Sequence, residues 1–388
     1  MKAKLKQLRR LVESSFPEIE NFHEKVDASF EKLENAKSFW SEIYVAHLKV
    51  VGDGVKVPES VFIKVPRISE NVLRCEDESA VNHLNDVLLY YSKKENLFYK
   101  HFEYGSIPNF PFPKVYFTED INGEATGGIV AENLSEKVFA VEHIPGLKHE
   151  QILRLMEALA GLHSFLMKRD DKSYVESFVE GAHGRETFSE GMQNMMFEEA
   201  LTLENVSPEV FGNDRIRNIK WSFDYSIKNK ATADAISAFP GIICHADLNV
   251  TNVLWKKDSA KDEISAIIDY QMLFIGSIAF DIIRVLTLGL NREIRRKMTQ
   301  NYLDHYHKTL TELSNGKAPF SMEELLHQYS LIYPFSSNFS LFGIALYIKM
   351  YSDGTLGNPE DKEENCKELI DRALGIVEDI EALKNNYK

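Results

Sequence analysis

The run His245-Ala246-Asp247-Leu248-Asn249-Val250-Thr251-Asn252, with Asp269 following in Ala266-Ile267-Ile268-Asp269-Tyr270, gathers the side chains in this chain best suited to chemistry. Apolar residues flank the octet, Gly241 to Cys244 before it and Val253 to Trp255 after it, so it reads as a loop between two short buried strands. Loops fixed by rigid strands are where reactive side chains concentrate. A carboxylate at Asp247 can take the proton of an attacking hydroxyl. The amide oxygen of Asn252 and the carboxylate of Asp269 are hard donors that suit magnesium on a nucleotide's phosphates, whereas zinc would ask for His or Cys. Taken singly, Asp and Asn also serve as turn formers, because they bond the nearby main chain. The ordered set His, Asp, Asn and then a second Asp ending a later strand points instead to phosphoryl transfer.

A cation for those phosphates is available upstream. The segment Ser60-Val61-Phe62-Ile63-Lys64-Val65 reads as a strand with Lys64 set among apolar neighbours. An ammonium buried there needs a partner, and Glu95 in Lys93-Lys94-Glu95-Asn96-Leu97-Phe98-Tyr99 is the best one available. A solvent-facing strand lysine is the other reading of Lys64.

The remaining elements follow from periodicity. Residues 1 to 33 carry helical spacing, with Leu5, Leu8, Leu11 and Val12 on one face and a break at Pro17. Strands are expected at Ile43 to Val51, Glu59 to Pro66, Lys114 to Thr118 and Gly127 to Leu134. A long buried helix is expected over Glu150 to Lys168, where His163 reads as a hydrogen-bonded core histidine. Residues 290 to 388 read as amphipathic helices.

Bulk properties narrow the function classes. A chain of 388 residues exceeds the size at which one core stops growing, so two lobes are expected. A net charge of -14 argues against nucleic acid as partner, since that binding relies on basic patches. Three widely spaced cysteines, Cys75, Cys244 and Cys366, fit a reducing compartment better than a disulfide framework. The N-terminal residues lack the apolar core of a secretory signal, and no run approaches the length of a membrane span. The expectation is a cytoplasmic protein with no membrane partner. Oligomeric state is not legible in the sequence, and a monomer is the default.

The octet resembles the catalytic loop of the aminoglycoside phosphotransferase and choline kinase superfamily, and more narrowly that of the ecdysteroid kinase-like, choline kinase-like (CHK) proteins. Those carry His-Gly-Asp-Leu-Trp-x-x-Asn and then Ile-Asp-Trp-Gln. This chain has Ala246 for the Gly, Asn249 for the Trp and Tyr270 for the second Trp, while Gln271 matches. The carboxylates and the metal-binding amide are unchanged, so the departures bear on substrate shape more than on phosphate chemistry.

The resemblance implies an α+β, two-lobed protein kinase-like fold: a small N-terminal lobe with an antiparallel sheet over residues 1–134, and a larger, mostly helical lobe over 135–388. It implies ATP and Mg2+ as cofactors. Asp247 would be the base, Asn252 and Asp269 the metal ligands, and Lys64 the phosphate cation paired with Glu95. Ser38 and Ser41 fall where the family has a nucleotide loop, although this chain lacks that loop's glycines and an ordinary strand-entry loop is an equal reading. Ala131, Glu132 and Asn133 fall at the hinge where adenine meets the main chain. His245 and Asp281, the latter in Gly276-Ser277-Ile278-Ala279-Phe280-Asp281-Ile282-Ile283-Arg284, would support the loop. Residues 176–232 are marked as the region shaping the acceptor pocket. Asp269-Tyr270-Gln271 differs from the Asp-Phe-Gly of protein kinases and matches the small-molecule branch. The rival reading is a catalytically silent kinase-fold binding or scaffold protein.

Overall fold

A computed structural model describes residues 2–33, 40–68, 78–122, 126–179, 188–239 and 242–387. Ser38 and Cys75 lie outside the described residues. The chain divides into two compact units. One comprises Met1–Ser106, Phe112–Val138 and Ile268–Gln271, and the other Ile107–Pro111, Phe139–Ile267 and Met272–Lys388.

The first unit opens with helix α1 (Lys2–Ser14) and holds a five-stranded sheet built from β1 (Val26–Lys32), β2 (Ser41–Val50), β3 (Ser60–Pro66), β4 (Val115–Ile121) and β5 (Thr126–Glu132), with helix α2 (Glu78–His101) between β3 and β4. Its strand order is β1-β2-β3-β5-β4 and its pairings are antiparallel. Leu8, Leu11 and Val12 of α1 pack with Val61, Ile63 and Val65 of β3 in one core. A strand sends alternate side chains to opposite faces, so burying those three valine and isoleucine side chains turns Phe62 and Lys64 to the other face. Asn96 ties α2 to β4 by donating to Asp120 Oδ1 at 2.7 Å and to the Glu119 carbonyl at 2.9 Å.

One expectation fails here. The helical reading of residues 1 to 33 holds over Lys2–Ser14, but Val26–Lys32 is strand. Its apolar residues Val26, Ala28 and Phe30 recur every second position, which is strand periodicity, and the segment pairs with β2 from Val26 opposite Val50 to Lys32 opposite Tyr44.

The second unit is mostly helical. Its principal helices are α3 (His149–Lys168), α4 (Glu190–Val206), α5 (Phe280–Gly289), α6 (Arg292–Leu313), α7 (Met322–Ser352) and α8 (Lys362–Leu383). Short strands β6 (Ile243–Cys244), β7 (Val253–Lys256), β8 (Ile264–Ile267) and β9 (Phe274–Ile275) frame the polar octet, with β6 paired to β9 and β7 to β8. His163 of α3 is buried with Nδ1 2.6 Å from the Tyr306 hydroxyl of α6, and burial holds its pKa down to about 3, so it is a neutral core residue. An antiparallel five-stranded sheet with one long helix, then a mostly helical remainder, is the protein kinase-like α+β class expected from the sequence.

Helix α7 corrects the statement that no run approaches a membrane span. Its 31 residues include an 18-residue window of mean hydropathy 1.4, long and apolar enough to cross a membrane, and 78% of that window is buried inside the protein. Ser336, Ser337, Asn338 and Ser340 interrupt the apolar pattern in the sequence, yet all four are buried. Ser336 Oγ donates to the Phe280 carbonyl at 2.7 Å and Asn338 Nδ2 to the Ser222 carbonyl at 2.8 Å. Paired in this way, small polar side chains cost little inside a core.

Candidate active site

In the first unit, Lys64 Nζ donates to Glu95 Oε2 at 2.7 Å and to Asp269 Oδ1 at 2.6 Å. The three side chains are 14%, 6% and 25% exposed. Burial pulls the Lys64 pKa down, but the adjacent charges of Asp269 and Glu95 outweigh it and hold the ammonium above the ordinary lysine range. Lys64 is therefore a cation throughout the neutral pH range. The helix that supplies Glu95 also anchors the Asp269 segment: the Tyr270 ring stacks on Phe98 at 3.7 Å and 8°, and meets Tyr99 edge-on at 5.7 Å. Asp269 adopts φ +72°, a left-handed conformation that is strained for a side chain with a Cβ, and Gln271 Nε2 lies 3.4 Å from its Oδ2.

Ser41 begins β2 and lines a small hollow with Trp40, Lys64, Tyr91, Glu95 and Gln271. Ala131 and Glu132 end β5, where the Glu132 N–H donates to the Lys114 carbonyl at 2.8 Å. Asn133 donates from Nδ2 to Ser60 Oγ at 3.0 Å and accepts at Oδ1 from Ser135. In the pairing with β3, Ala131 lies opposite Phe62 and Glu132 opposite Val61, as Ile129 lies opposite Lys64.

In the second unit the octet folds around two carboxylates. Asp281, in the first turn of α5, accepts from the N–H groups of His245 at 2.7 Å and Ala246 at 2.9 Å. Burial raises the Asp281 pKa, while His245, those two N–H groups and Arg284 act to lower it. Ala246 takes φ +67°, a left-handed conformation that Gly would adopt without a Cβ penalty. Asp281 therefore clamps a strained turn whose next residue is Asp247.

The Asp247 carboxylate is surrounded by donors: Arg284 Nη2 at 3.1 Å and Asn249 Nδ2 at 3.1 Å on Oδ1, and Asn252 Nδ2 at 3.3 Å on Oδ2. Asn252 also donates to the Asp247 carbonyl at 2.9 Å. With its nitrogen committed to Asp247, the Asn252 amide has its oxygen left for a cation.

The donor set fits magnesium. Asp269 and Asn252 each carry a hard oxygen of the kind magnesium takes. Among the described residues no group of three or more His, Cys, Asp or Glu side chains forms a metal cage. Magnesium is ordinarily held by one or two protein oxygens together with substrate phosphates and water.

Arg284 and Asn249 were assigned no role from the sequence. A signal existed for the arginine: Phe280–Gly289 is buried at every position, so a guanidinium there requires a buried anion. Within 176–232, Met196, Ala200 and Leu203 are buried in α4. The side chains held against Arg284 come from α7, where Phe339 lies 4.1 Å beneath the guanidinium and Ser340 Oγ is 3.3 Å from Nη1.

The family model DUF1679, described as "Uncharacterized oxidoreductase dhs-27", matches residues 56–388. The chain belongs to the DUF1679 family. It is 32% identical over 381 residues to an uncharacterized kinase-like protein of Caenorhabditis elegans, covering 96% of this chain and 98% of that protein. It is 23% identical over 263 residues to the uncharacterized oxidoreductase dhs-27 of the same organism, covering 66% of this chain but only 31% of that protein. The word oxidoreductase therefore belongs to a protein of which this chain matches less than a third. Among solved structures, the GDP complex of wild-type aminoglycoside 2'-phosphotransferase-IIIa is 12% identical with a TM-score of 0.46, covering 98% of each chain.

Proposed function

We propose that this chain is an ATP-dependent phosphotransferase acting on a hydroxyl group of a small molecule, and that it lies within the ecdysteroid kinase-like, choline kinase-like branch. The observation that carries the reading is Lys64, a charged lysine on a strand held by Glu95 and Asp269 from 31 and 205 residues away. A buried cation between two carboxylates is a costly arrangement for packing alone, and it suits a site that must receive anionic phosphates.

Magnesium, held by Asn252 and Asp269, would neutralise charge on the phosphates. Lys64 would add a fixed positive charge, and Glu95 would keep that ammonium in place. Asp247 would orient the acceptor hydroxyl and take its proton, while Asp281 and His245 hold the turn that presents Asp247. The bases for catalysis are then positioning and preorganised charge. Steroid-like, glycosylated and amino-alcohol acceptors all remain within this reading.

The test is transfer of the γ-phosphate of radiolabelled ATP to a panel of hydroxylated metabolites by wild type and Asp247→Asn. A labelled product formed by wild type and absent with the variant supports the reading. Unlabelled panels, with no ATP–magnesium binding, favour a silent kinase-fold binding protein.

A further inference from the structure

The two oxygens of the Asp247 carboxylate are not equivalent. Oδ1 accepts from Arg284 Nη2 at 3.1 Å and from Asn249 Nδ2 at 3.1 Å. Among the described residues, Oδ2 has the longer contact alone, from Asn252 Nδ2 at 3.3 Å, and that nitrogen's closer partner is the Asp247 carbonyl at 2.9 Å. A carboxylate oxygen offers two lone-pair directions, so two donors saturate Oδ1 while Oδ2 keeps capacity for another hydrogen bond.

Both donors are themselves fixed. Arg284 is 2% exposed, with Nη1 3.3 Å from Ser340 Oγ and its plane 4.1 Å over the Phe339 ring. Ser340 Oγ in turn lies 2.7 Å from Thr287 Oγ1. Asn249 caps the short turn Val250–Asn252, its Oδ1 accepting from Thr251 N at 2.9 Å and Thr251 Oγ1 at 2.6 Å. That cap orients the amide so that Nδ2 points at Asp247.

We propose that Asn249 and Arg284 are positioning residues that fix the Asp247 carboxylate through Oδ1 and reserve Oδ2 as the oxygen that takes the acceptor's proton. This rests on the phosphotransferase reading. In the transfer, the acceptor oxygen bonds to the γ-phosphorus of ATP and its proton passes to Oδ2. The bond from that phosphorus to the bridging oxygen breaks, and ADP leaves with the electron pair. Asn249, which departs from the resembled loop pattern, thereby has a role specific to the geometry of this loop.

Asn249→Ser and Asn249→Asp separate this role from capping. Ser and Asp are both good N-caps, so either can accept from Thr251 N, but neither carries the Nδ2 donor. Asp also sets a second negative charge beside Asp247. The experiment follows ADP release from ATP and magnesium by the full chain, with water as acceptor. The expected result is a kcat about tenfold lower for Asn249→Ser and lower still for Asn249→Asp, as for a misplaced reacting group. The KM for ATP and the melting temperature of the Ser variant stay at wild-type values. Wild-type kcat in both variants would overturn the proposal, because a cap alone would then account for Asn249.

A second measurement does not depend on turnover. The side-chain amide resonance of Asn249, identified by its loss in Asn249→Ser, moves in Asp247→Ala when Nδ2 is bonded to that carboxylate. An unmoved resonance overturns the positioning role. Loss of turnover in Asp247→Asn bears on the phosphotransferase reading, whereas the ratio of Asn249→Ser to wild type bears on the role of Asn249.

Discussion

The Lys64 ammonium lies 2.6 Å from the Asp269 carboxylate, the same group proposed to hold magnesium. On the proposed reading this lysine supplies a counter-charge to the carboxylate that would meet the metal. Lys64→Met should lower turnover of ATP by about 10²-fold or more, in the range seen when a preorganised charge-stabilising group is removed. It should also destabilise the chain by about 3 kcal/mol, because Glu95 and Asp269 lose their partner. The Lys64 pKa is raised in the folded chain, so its stabilisation is fully present below the ordinary lysine pKa of about 10.4 and is lost only as pH climbs above that. Melting curves of wild type and Lys64→Met should therefore differ by a constant amount from pH 6 to pH 9 and converge only at strongly alkaline pH.

Asp281 gives a sharper structural prediction. Its carboxylate satisfies two main-chain donors, His245 N–H and Ala246 N–H, in a buried turn. Asp281→Ala strands both, at about 1–3 kcal/mol for each unsatisfied group. Denaturant titration should show a lower midpoint with an unchanged slope, and ATP turnover should fall because Asp247 follows directly.

Ala246 tests the strain in that turn. At φ +67° a Cβ costs about 1–2 kcal/mol, which Gly avoids at the expense of a more flexible unfolded chain. Ala246→Gly should be neutral or stabilising by about 1 kcal/mol. Ala246→Val should destabilise by more than that, since a β-branched side chain tolerates this conformation worst. Equal stability of the Gly and Val variants would remove the strain argument.

Glu42 sets an acid-stability window in the first unit. Burial acts to raise its pKa, but Lys4 at 2.6 Å and Arg67 bring it down to about 2. A carboxylate depressed in this way stabilises the fold above its unfolded pKa of about 4.3, and that stabilisation is lost as pH falls toward 2. Wild type should exceed Glu42→Gln in stability at pH 5, and the two should converge by pH 2. A constant difference across that range would contradict the assignment.

Much of this arrangement was legible because local pattern and chemistry agreed. A lysine inside Val61-Phe62-Ile63-Lys64-Val65 demands a partner, and the nearby helix offered Glu95; the structure joins them. The Asp247 loop was legible because the polar octet interrupts two apolar runs, and Asp281 through the resemblance of Gly276 to Arg284 to a family helix start. Other features were hidden for physical reasons. Val26–Lys32 alternates weakly and follows a true helix, so helical spacing was carried too far. The Asn249 contact to Asp247 depends on a short cap over Thr251, and the Arg284 contact spans 37 residues. Neither is expressed as a periodicity.

The most direct test of the central claim is calorimetric titration of ATP, with and without magnesium, into wild type and Asp269→Asn. Magnesium-dependent binding by wild type, weakened at least tenfold in Asp269→Asn, is the predicted result. Absence of binding by wild type at millimolar ATP, or equal binding by the two proteins, would contradict the phosphotransferase site described here.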